Sequence, residues 1–266
     1  MRRPIPPFRL ALWVTSGAGV LSALGALAWG PLPASLYALG LVLQAALATC
    51  GVLVPSLEAF GDVFSRGPRE RSEVALTFDD GPHPDTTRRV LALLRAHGAV
   101  GTFFVLGEKA LAHPDLVREI ASAGHGVGVH GHVHDRLYAL RGYGFLARDL
   151  ARACLAVEQA SGVRPTLFRP PVGFVSGNVA LAAERAGLTL VGFSARTRDG
   201  IESARPERVL ERATAALANG AILVLHDAAE RDDREPASLP VLGELLARLK
   251  ERGLSAVTVD ALRRPL

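Results

Sequence analysis

The pattern of apolar and polar residues divides the chain into two parts. Two long apolar runs, Leu10 to Trp29 and Leu36 to Val54, contain no charged residue and are separated by a Gly-Pro-Leu-Pro turn at 30–33. From residue 73 onward, short apolar runs alternate with stretches in which leucines recur at helical spacing. We therefore predict a membrane anchor at 1–55, a short linker at 56–72 and a globular domain at 73–266.

Each apolar run is long enough to cross a bilayer, because ~20 helical residues at ~1.5 Å per residue span the ~30 Å hydrocarbon core. The helix-breaking turn between the runs predicts a hairpin of two spans that contacts membrane lipid through residues 10–54. A cleaved signal peptide is the alternative, because Arg2 and Arg3 precede the first run and Ala26-Leu27-Ala28 fits a cleavage pattern. The second run follows at once, which favours the hairpin.

The positions of the basic residues predict an orientation. Arginines precede the first span and follow the second, whereas the loop between the spans carries no charge; these arginines are Arg2, Arg3, Arg9, Arg66, Arg69 and Arg71. Basic residues near spans concentrate on the cytoplasmic side. We therefore expect both ends of the hairpin, and the domain, to face the cytoplasm at a bacterial-type plasma membrane, whereas a single uncleaved span would place the domain outside.

The domain is predicted to contain about seven strand–helix units. Strands are expected at 74–78, 100–106, 126–130, 166–169, 188–194, 221–225 and 254–259, with helices at 86–97, 115–123, 145–160, 178–186, 206–218 and 239–252. This alternation indicates an α/β fold, a parallel sheet covered by helices, as an open doubly wound sheet or as a closed barrel. In both architectures ligands bind at the carboxyl ends of the strands.

The distribution of charge bears on whether the protein binds nucleic acid. The net charge is +4, and the arginines are interspersed with acidic residues along helical stretches. This pattern is typical of solvated helix faces, and no nucleic-acid motif accompanies it, so we expect no nucleic-acid partner. The residues that remain as carriers of chemistry are the polar side chains at the predicted strand ends.

Two clusters of metal-binding residue types follow predicted strands. Asp79 and Asp80 close the first strand, so one carboxylate could bind a metal while the other acts as a base. His130 and His134 follow the third strand, and their spacing places both imidazoles on one face of a helical turn, with His132 off that face. One carboxylate and two imidazoles leave coordination positions open, as in catalytic zinc sites.

Three further polar residues occupy equivalent places at later strand ends. Arg169 precedes two prolines and could form an ion pair with Asp79. His226 ends a buried strand and suits a general acid near neutral pH. Asp199, one strand earlier, could orient it.

These clusters resemble the motifs of the polysaccharide deacetylase family, the NodB-homology carbohydrate esterases. Four motifs occur in the family order within residues 74–259: TFDDGP at 77–82, the histidine pair of GHGVGVHGHVH ending at 134, FRPPVG at 168–173 and LVLHD at 223–227. The resemblance implies a deformed (β/α) barrel of about seven strands. It also implies a metal-dependent hydrolase, usually with zinc, that removes an acyl group, normally acetyl, from the nitrogen of an amino sugar in a polysaccharide. The expected inward orientation of the domain adds a lipid-linked sugar as a candidate substrate.

The resemblance further implies a role for each residue. Asp80, His130 and His134 are expected to bind the metal, and Asp79 to act as the base, positioned by Arg169. A backbone N–H near Val172 is expected to stabilise the oxyanion, and His226 to protonate the leaving amine under the influence of Asp199.

Three positions depart from the family pattern. Gly131 stands where a Ser or Thr usually follows the first metal histidine, Arg196 where an Asp is frequent, and Gly200 where an aromatic residue often follows Asp199. These departures leave the predicted ligands, base and acid in place but put the substrate in question. The alternatives are a metal-dependent amidase for a non-sugar substrate and a non-catalytic glycan- or lipid-binding module.

Overall fold

Two apolar helices begin the part of the chain that the structure, a computed structural model, describes, residues 4–265. Helices α1 (Pro7–Trp29) and α2 (Ala34–Leu53) are joined by a four-residue turn, and Gln44 Nε2 donates to Ser16 Oγ across them at 2.7 Å. Both helices are long and apolar enough to cross a membrane, and only 6% of the most apolar window of each is buried. They are therefore not core helices of the domain. The predicted charges Arg2 and Arg3 lie outside the described residues.

Short strands and helices alternate along the rest of the chain. The strands are β1 (Val63–Phe64), β2 (Glu73–Asp79), β3 (Thr102–Val105), β4 (Gly126–Val129), β5 (Leu167–Phe168), β6 (Thr189–Val191), β7 (Ala195–Arg196), β8 (Ile222–His226) and β9 (Ser255–Ala256). The helices are α3 (Thr86–Ala96), α4 (Gly107–Ala112), α5 (Pro114–Ser122), α6 (Tyr143–Ser161), α7 (Gly177–Arg185), α8 (Pro206–Ala216), α9 (Leu242–Glu251) and α10 (Val259–Leu262).

The strands form a curled parallel sheet in the order β1-β6-β5-β4-β3-β2-β8-β7, with β9 paired to the start of β2. β6 lies near one end of this order and β7 at the other, although only residues 192–194 separate them. A chain of this length spans at most ~14 Å, so the two ends of the sheet must approach each other. The α/β fold and the deformed (β/α) barrel are thus confirmed.

Two predicted strands differ from the structure. The stretch predicted as one strand at 188–194 pairs first with β1 and β5 and then with β8, because the Gly192 N–H donates to Phe64 O and the Ser194 N–H to Ile222 O. The strand predicted at 254–259 is shorter, because the Thr258 side chain accepts from the Ala261 N–H and begins α10.

The stretch predicted as a linker contains an element of the sheet. β1 pairs in parallel with β6, with Val63 opposite Leu190. The same stretch holds the base of the hairpin, since Arg9 donates to Glu58 O and Asp62 Oδ1, each at 2.8 Å. The hairpin is therefore fastened to the domain at its open end.

The core lies between the sheet and its helices. Phe78 on β2 stacks on Phe103 of β3 with ring centroids 4.9 Å apart, and both rings are buried. Helix α3 buries Val90 and Leu94 against this layer at helical spacing. This packing fixes the strands whose carboxyl ends carry the polar residues described next.

Candidate active site

The predicted site residues meet in one cleft at the carboxyl ends of the strands. Asp79 and His226 are the last residues of β2 and β8, and His130 and Arg169 directly follow β4 and β5. The cleft has a volume of about 740 Å³, and its lining includes Asp79, Asp80, His130, His134, Arg169, Val172 and His226. Asp199 lies behind His226. Residues distant in sequence thus converge because parallel strands end at the same edge.

Asp80, His130 and His134 form a possible metal site. Their ligand atoms all lie within 4.8 Å of one another, with Asp80 Oδ1 3.4 Å from His130 Nε2 and 3.5 Å from His134 Nε2. The His130 Nδ1–H donates to Arg169 O at 2.8 Å, so Nε2 carries the lone pair. Asp80 is buried, and its Oδ1 has no hydrogen-bond partner among the described residues.

This donor set suits a divalent cation. Burial opposes ionisation of Asp80, but the approach of His130 to 3.4 Å and the positive charge of His226 hold the pKa of its carboxyl well below the usual range. Burial also lowers the pKa of His134, which favours the neutral imidazole that a metal needs. One carboxylate and two imidazoles, with room in the cleft beside them, fit a catalytic rather than a structural site.

Arg169 holds Asp79 at the edge of the cleft. The Arg169 side chain is 1% exposed, and its Nη1 donates to Asp79 Oδ1 and Thr77 Oγ1, each at 2.7 Å. Its Nη2 donates to Gly192 O at 2.9 Å, and the guanidinium lies 4.2 Å from the centre of the Phe104 ring. These contacts fix one carboxylate oxygen of Asp79 and leave Oδ2 as the oxygen that can accept a proton.

His226 and Asp199 form a second pair next to Asp80. The His226 Nδ1–H donates to Asp199 Oδ1 at 2.9 Å, and the His226 backbone N–H donates to Oδ2 at 2.8 Å. Burial alone would lower the pKa of His226, but the Asp199 carboxylate raises it to about 10. His226 is therefore a proton donor at neutral pH, and its Nε2 lies 3.9 Å from Asp80 Oδ2.

Val172 and Arg196 form one rim of the cleft. Val172 has a left-handed backbone with φ of 63°, and Arg196 Nη2 donates to its carbonyl oxygen at 2.7 Å. The Arg196 guanidinium also lies 4.7 Å from the centre of the Phe193 ring. Arg196 therefore orients the loop that carries the expected oxyanion donor.

The loop that contains His130 and His134 is held by a buried carboxylate. Asp149 Oδ2 accepts from the His132 N–H at 2.9 Å and from the Tyr138 hydroxyl at 2.8 Å. Gly131 has φ of 87°, a conformation that a side chain strains, and a Cβ there would lie 3.2 Å from Asp149 Oδ2. The hydrogen bonds to Asp149 thus fasten this loop in the absence of the Ser or Thr hydroxyl.

Gly200 brings its backbone close to His226. A Cβ at this position would lie 3.0 Å from His226 Nε2, which is closer than ordinary contact. The glycine therefore permits the loop after β7 to close on the imidazole. The same loop contributes Gly200 O as an acceptor for Arg234 at 3.3 Å.

Three supporting residues were missed in the sequence. Thr197 donates to Asp199 Oδ1 at 2.7 Å, and its position two residues before Asp199 on an extended stretch could have indicated it. Glu230 Oε1 lies 3.5 Å from His134 Nδ1 within an irregular loop that has no sequence pattern. Asp227, buried behind the site, accepts from the Thr87 hydroxyl, and burial raises the pKa of its carboxyl to about 7.

Several curated proteins are similar to this chain in sequence. A profile of the polysaccharide deacetylase family matches residues 66–191. A peptidoglycan-N-acetylglucosamine deacetylase of Bacillus cereus is 33% identical over 80% of this chain and 98% of its own length. The corresponding Listeria monocytogenes enzyme is 32% identical over 73% of this chain, and the match spans 39% of that longer protein.

Solved structures share the fold. A peptidoglycan N-acetylglucosamine deacetylase, solved with a hydroxamate-type benzamide, superposes with a TM-score of 0.69 at 27% identity, covering 76% of this chain and 92% of the other. Both the sequence and the arrangement of strands therefore lead to one assignment. The chain belongs to the polysaccharide deacetylase family.

Proposed function

We propose that the protein is a metal-dependent hydrolase that removes an N-acyl group, in the first place N-acetyl, from an amino sugar. The observation that carries this proposal is the set of groups that line one cleft. They are a possible metal site, a carboxylate held by Arg169 and an imidazole held by Asp199. Amide hydrolysis requires such a base and such an acid, because one group takes a proton from water and another gives one to nitrogen.

The cation would be bound by Asp80, His130 and His134, and the composition of that set favours Zn²⁺. A bound cation of this kind polarises the amide carbonyl and lowers the pKa of water. The buried, unpartnered Asp80 Oδ1 and the fixed tautomer of His130 support this role.

The protein side chains account for the proton transfers. Asp79 accepts a proton from the attacking water through the oxygen that Arg169 leaves free. The Val172 N–H, in the loop oriented by Arg196, is the proposed donor to the oxyanion. His226, kept protonated by Asp199, donates from Nε2 to the amide nitrogen as the carbon–nitrogen bond breaks, which releases a carboxylate and a free amine.

The proposed substrate class is an N-acetylated amino sugar. The relatives named above are peptidoglycan-N-acetylglucosamine deacetylases, and others in the family are named chitooligosaccharide deacetylases. This supports an N-acetylglucosamine-type unit as the group that enters the cleft. The chain spans less than half the length of the Listeria relatives.

We further propose that α1 and α2 cross a membrane as a hairpin with both ends in the cytoplasm. Their length and exposed apolar surface support the insertion, and the arginines on both flanks support the orientation. Reporter fusions at the C-terminus, one active only in the cytoplasm and one only outside it, test the orientation. Activity of the outside reporter alone would refute it.

Release of acetate from N-acetylated glucosamine oligomers by the purified full-length protein tests the chemistry. Activity should disappear after chelation and return with Zn²⁺. Asp79→Asn and His226→Ala should each lower kcat by ~10²–10⁴ while binding metal at wild-type stoichiometry. Arg208→Gln, on the exposed face of α8, is the control and should be fully active. A protein that binds no stoichiometric metal, or releases no acetate with metal supplied, would refute the proposal.

A further inference from the structure

The base of the hairpin touches the rim of the cleft. The Val175 N–H, in the loop that follows Val172, donates to Val52 O in the last turn of α2 at 3.2 Å. A cavity of about 240 Å³ lies between residues 53–56 at the end of α2 and the side chains of Phe193 and Arg196. Phe193 and Arg196 also line the 740 Å³ cleft. One layer of side chains therefore separates the end of the hairpin from the site.

The ends of the spans set the depth of this rim. The two candidate spans have 22 and 20 residues, so their lengths of ~33 and ~30 Å match the hydrocarbon core. With such spans across a bilayer, their open end lies at the level of the lipid headgroups. The rim formed by Phe193 and Arg196 then lies at the same level, because both side chains line one cavity with the residues at the end of α2.

The cleft beside this rim carries excess positive charge. Its lining includes five arginines against four carboxylates; the arginines are Arg136, Arg169, Arg196, Arg198 and Arg234, and the carboxylates are Asp79, Asp80, Glu202 and Glu230. Arg136 is paired with Glu230 and Arg234 with Asp233, but Arg196 and Arg198 form no ion pair within residues 4–265. Both side chains are exposed, and Arg196 uses one donor on Val172 O, which leaves its other N–H groups free. Two unpaired guanidinium groups at headgroup level suit a phosphate.

We infer that the substrate is a membrane lipid whose headgroup carries the acylated amino sugar next to a phosphate, and that Arg196 and Arg198 bind that phosphate. This inference rests on the proposed deacetylase function and on membrane insertion of the hairpin. The lipid tail stays in the bilayer beside α2, the phosphate contacts the two arginines, and the sugar reaches the catalytic groups across Phe193. A phosphate contact also accounts for Arg196 at a position where an Asp is frequent in the family.

The test compares three substrates with the full-length protein in lipid vesicles. The first is a polyprenyl-phosphate-linked N-acetylglucosamine in the same vesicles, the second is soluble N-acetylglucosamine 1-phosphate, and the third is a neutral N-acetylchitooligosaccharide. We expect kcat/KM for the lipid-linked substrate to exceed both others by at least ~100-fold, because membrane confinement raises the local concentration.

A variant then tests the phosphate contact. Arg198→Gln keeps the left-handed backbone cost of the position and should lower kcat/KM for the lipid-linked substrate by ~10-fold more than for the neutral oligomer. Arg196 is less suitable, because it also orients Val172. Arg208→Gln, whose partner is Glu211 on α8, is the matched control and should change none of the three rates.

The outcomes separate this inference from the function on which it rests. If none of the substrates is deacetylated although metal is bound, the proposed function itself fails. If the neutral oligomer is deacetylated as well as the lipid-linked substrate, the function stands and the lipid substrate is overturned. Equal rates with the soluble sugar phosphate would assign the arginines to a free phosphate and also overturn the lipid. Equal losses from Arg198→Gln on all substrates would overturn the phosphate contact.

Discussion

Replacing Arg169 by Met should destabilise the fold severely as well as remove activity. Methionine has a similar length but no donor, so it leaves the carboxylate of Asp79, itself 4% exposed, without its cationic partner. The carbonyls of Val191 and Gly192 lose their donors at the same time. Breaking a buried ion pair from one side costs ~3–5 kcal/mol. In a domain of this size, that loss corresponds to a fall in Tm of ~6–20 °C.

The assay is thermal unfolding of the detergent-solubilised, metal-free protein, followed by circular dichroism. A double-mutant cycle with Asp79→Asn separates the ion pair from packing, because the double variant has no buried unpaired charge. We expect it to be at least ~1.5 kcal/mol more stable than the sum of the two single losses predicts. Arg248→Met is the matched control, since its pair with Glu244 is half-exposed and should contribute under ~1 kcal/mol. A shift like that of the control, or strict additivity in the cycle, would refute the reasoning.

Three further predictions concern the surroundings of the site. Gly200→Ala should lower kcat by ~10-fold and leave the metal affinity measured in titrations unchanged. The reason is that the new Cβ would lie 3.0 Å from His226 Nε2 and would displace the imidazole. Asp227→Asn should raise Tm relative to the wild type by more at about pH 8 than at pH 4. The folded pKa of Asp227 is raised from 3.8 to about 7, so the wild type loses stability as pH rises between these values, and the amide does not; identical pH profiles would exclude this. Glu230→Gln should weaken metal binding by ~10-fold in competition with a chelator, because the Glu230 carboxylate lies 3.5 Å from His134 Nδ1 and its negative charge favours a cation on the imidazole; unchanged affinity would count against it.

The sequence was most informative where chemistry and local pattern coincide. Asp79 and His226 each end an apolar strand. Burying such polar side chains costs free energy unless they have partners, so both residues could be identified as candidates for the site from the sequence. The seven predicted polar side chains then needed only the rule that parallel strands end at one edge. The strand–helix alternation likewise predicted most elements to within a few residues.

Non-local pairing lay beyond what the sequence could reveal. β1 consists of two residues, Val63 and Phe64, and has no pattern of its own; it exists because the edge of β6 is available to it. The extended stretch from Thr189 to Arg196 gives no indication that it changes partner at Gly192, because the carbonyl and N–H groups that receive it belong to distant strands. Glu230 reaches His134 from a loop whose path depends on the completed barrel.

The fastening of the hairpin to the domain decides how the enzyme can search for substrate. Arg9 donates to Asp62, and the last turn of α2 accepts a hydrogen bond from the Val175 N–H. The segment that follows α2 joins the sheet through β1. An enzyme on a loose tether samples a volume above the bilayer, whereas a cleft mounted in this way stays at one height and one tilt. With the hairpin inserted as proposed, encounters with a lipid substrate would occur by lateral diffusion in two dimensions. The rate of turnover would then be set by the number of substrate molecules per unit area of membrane and would be insensitive to the volume of solution around it.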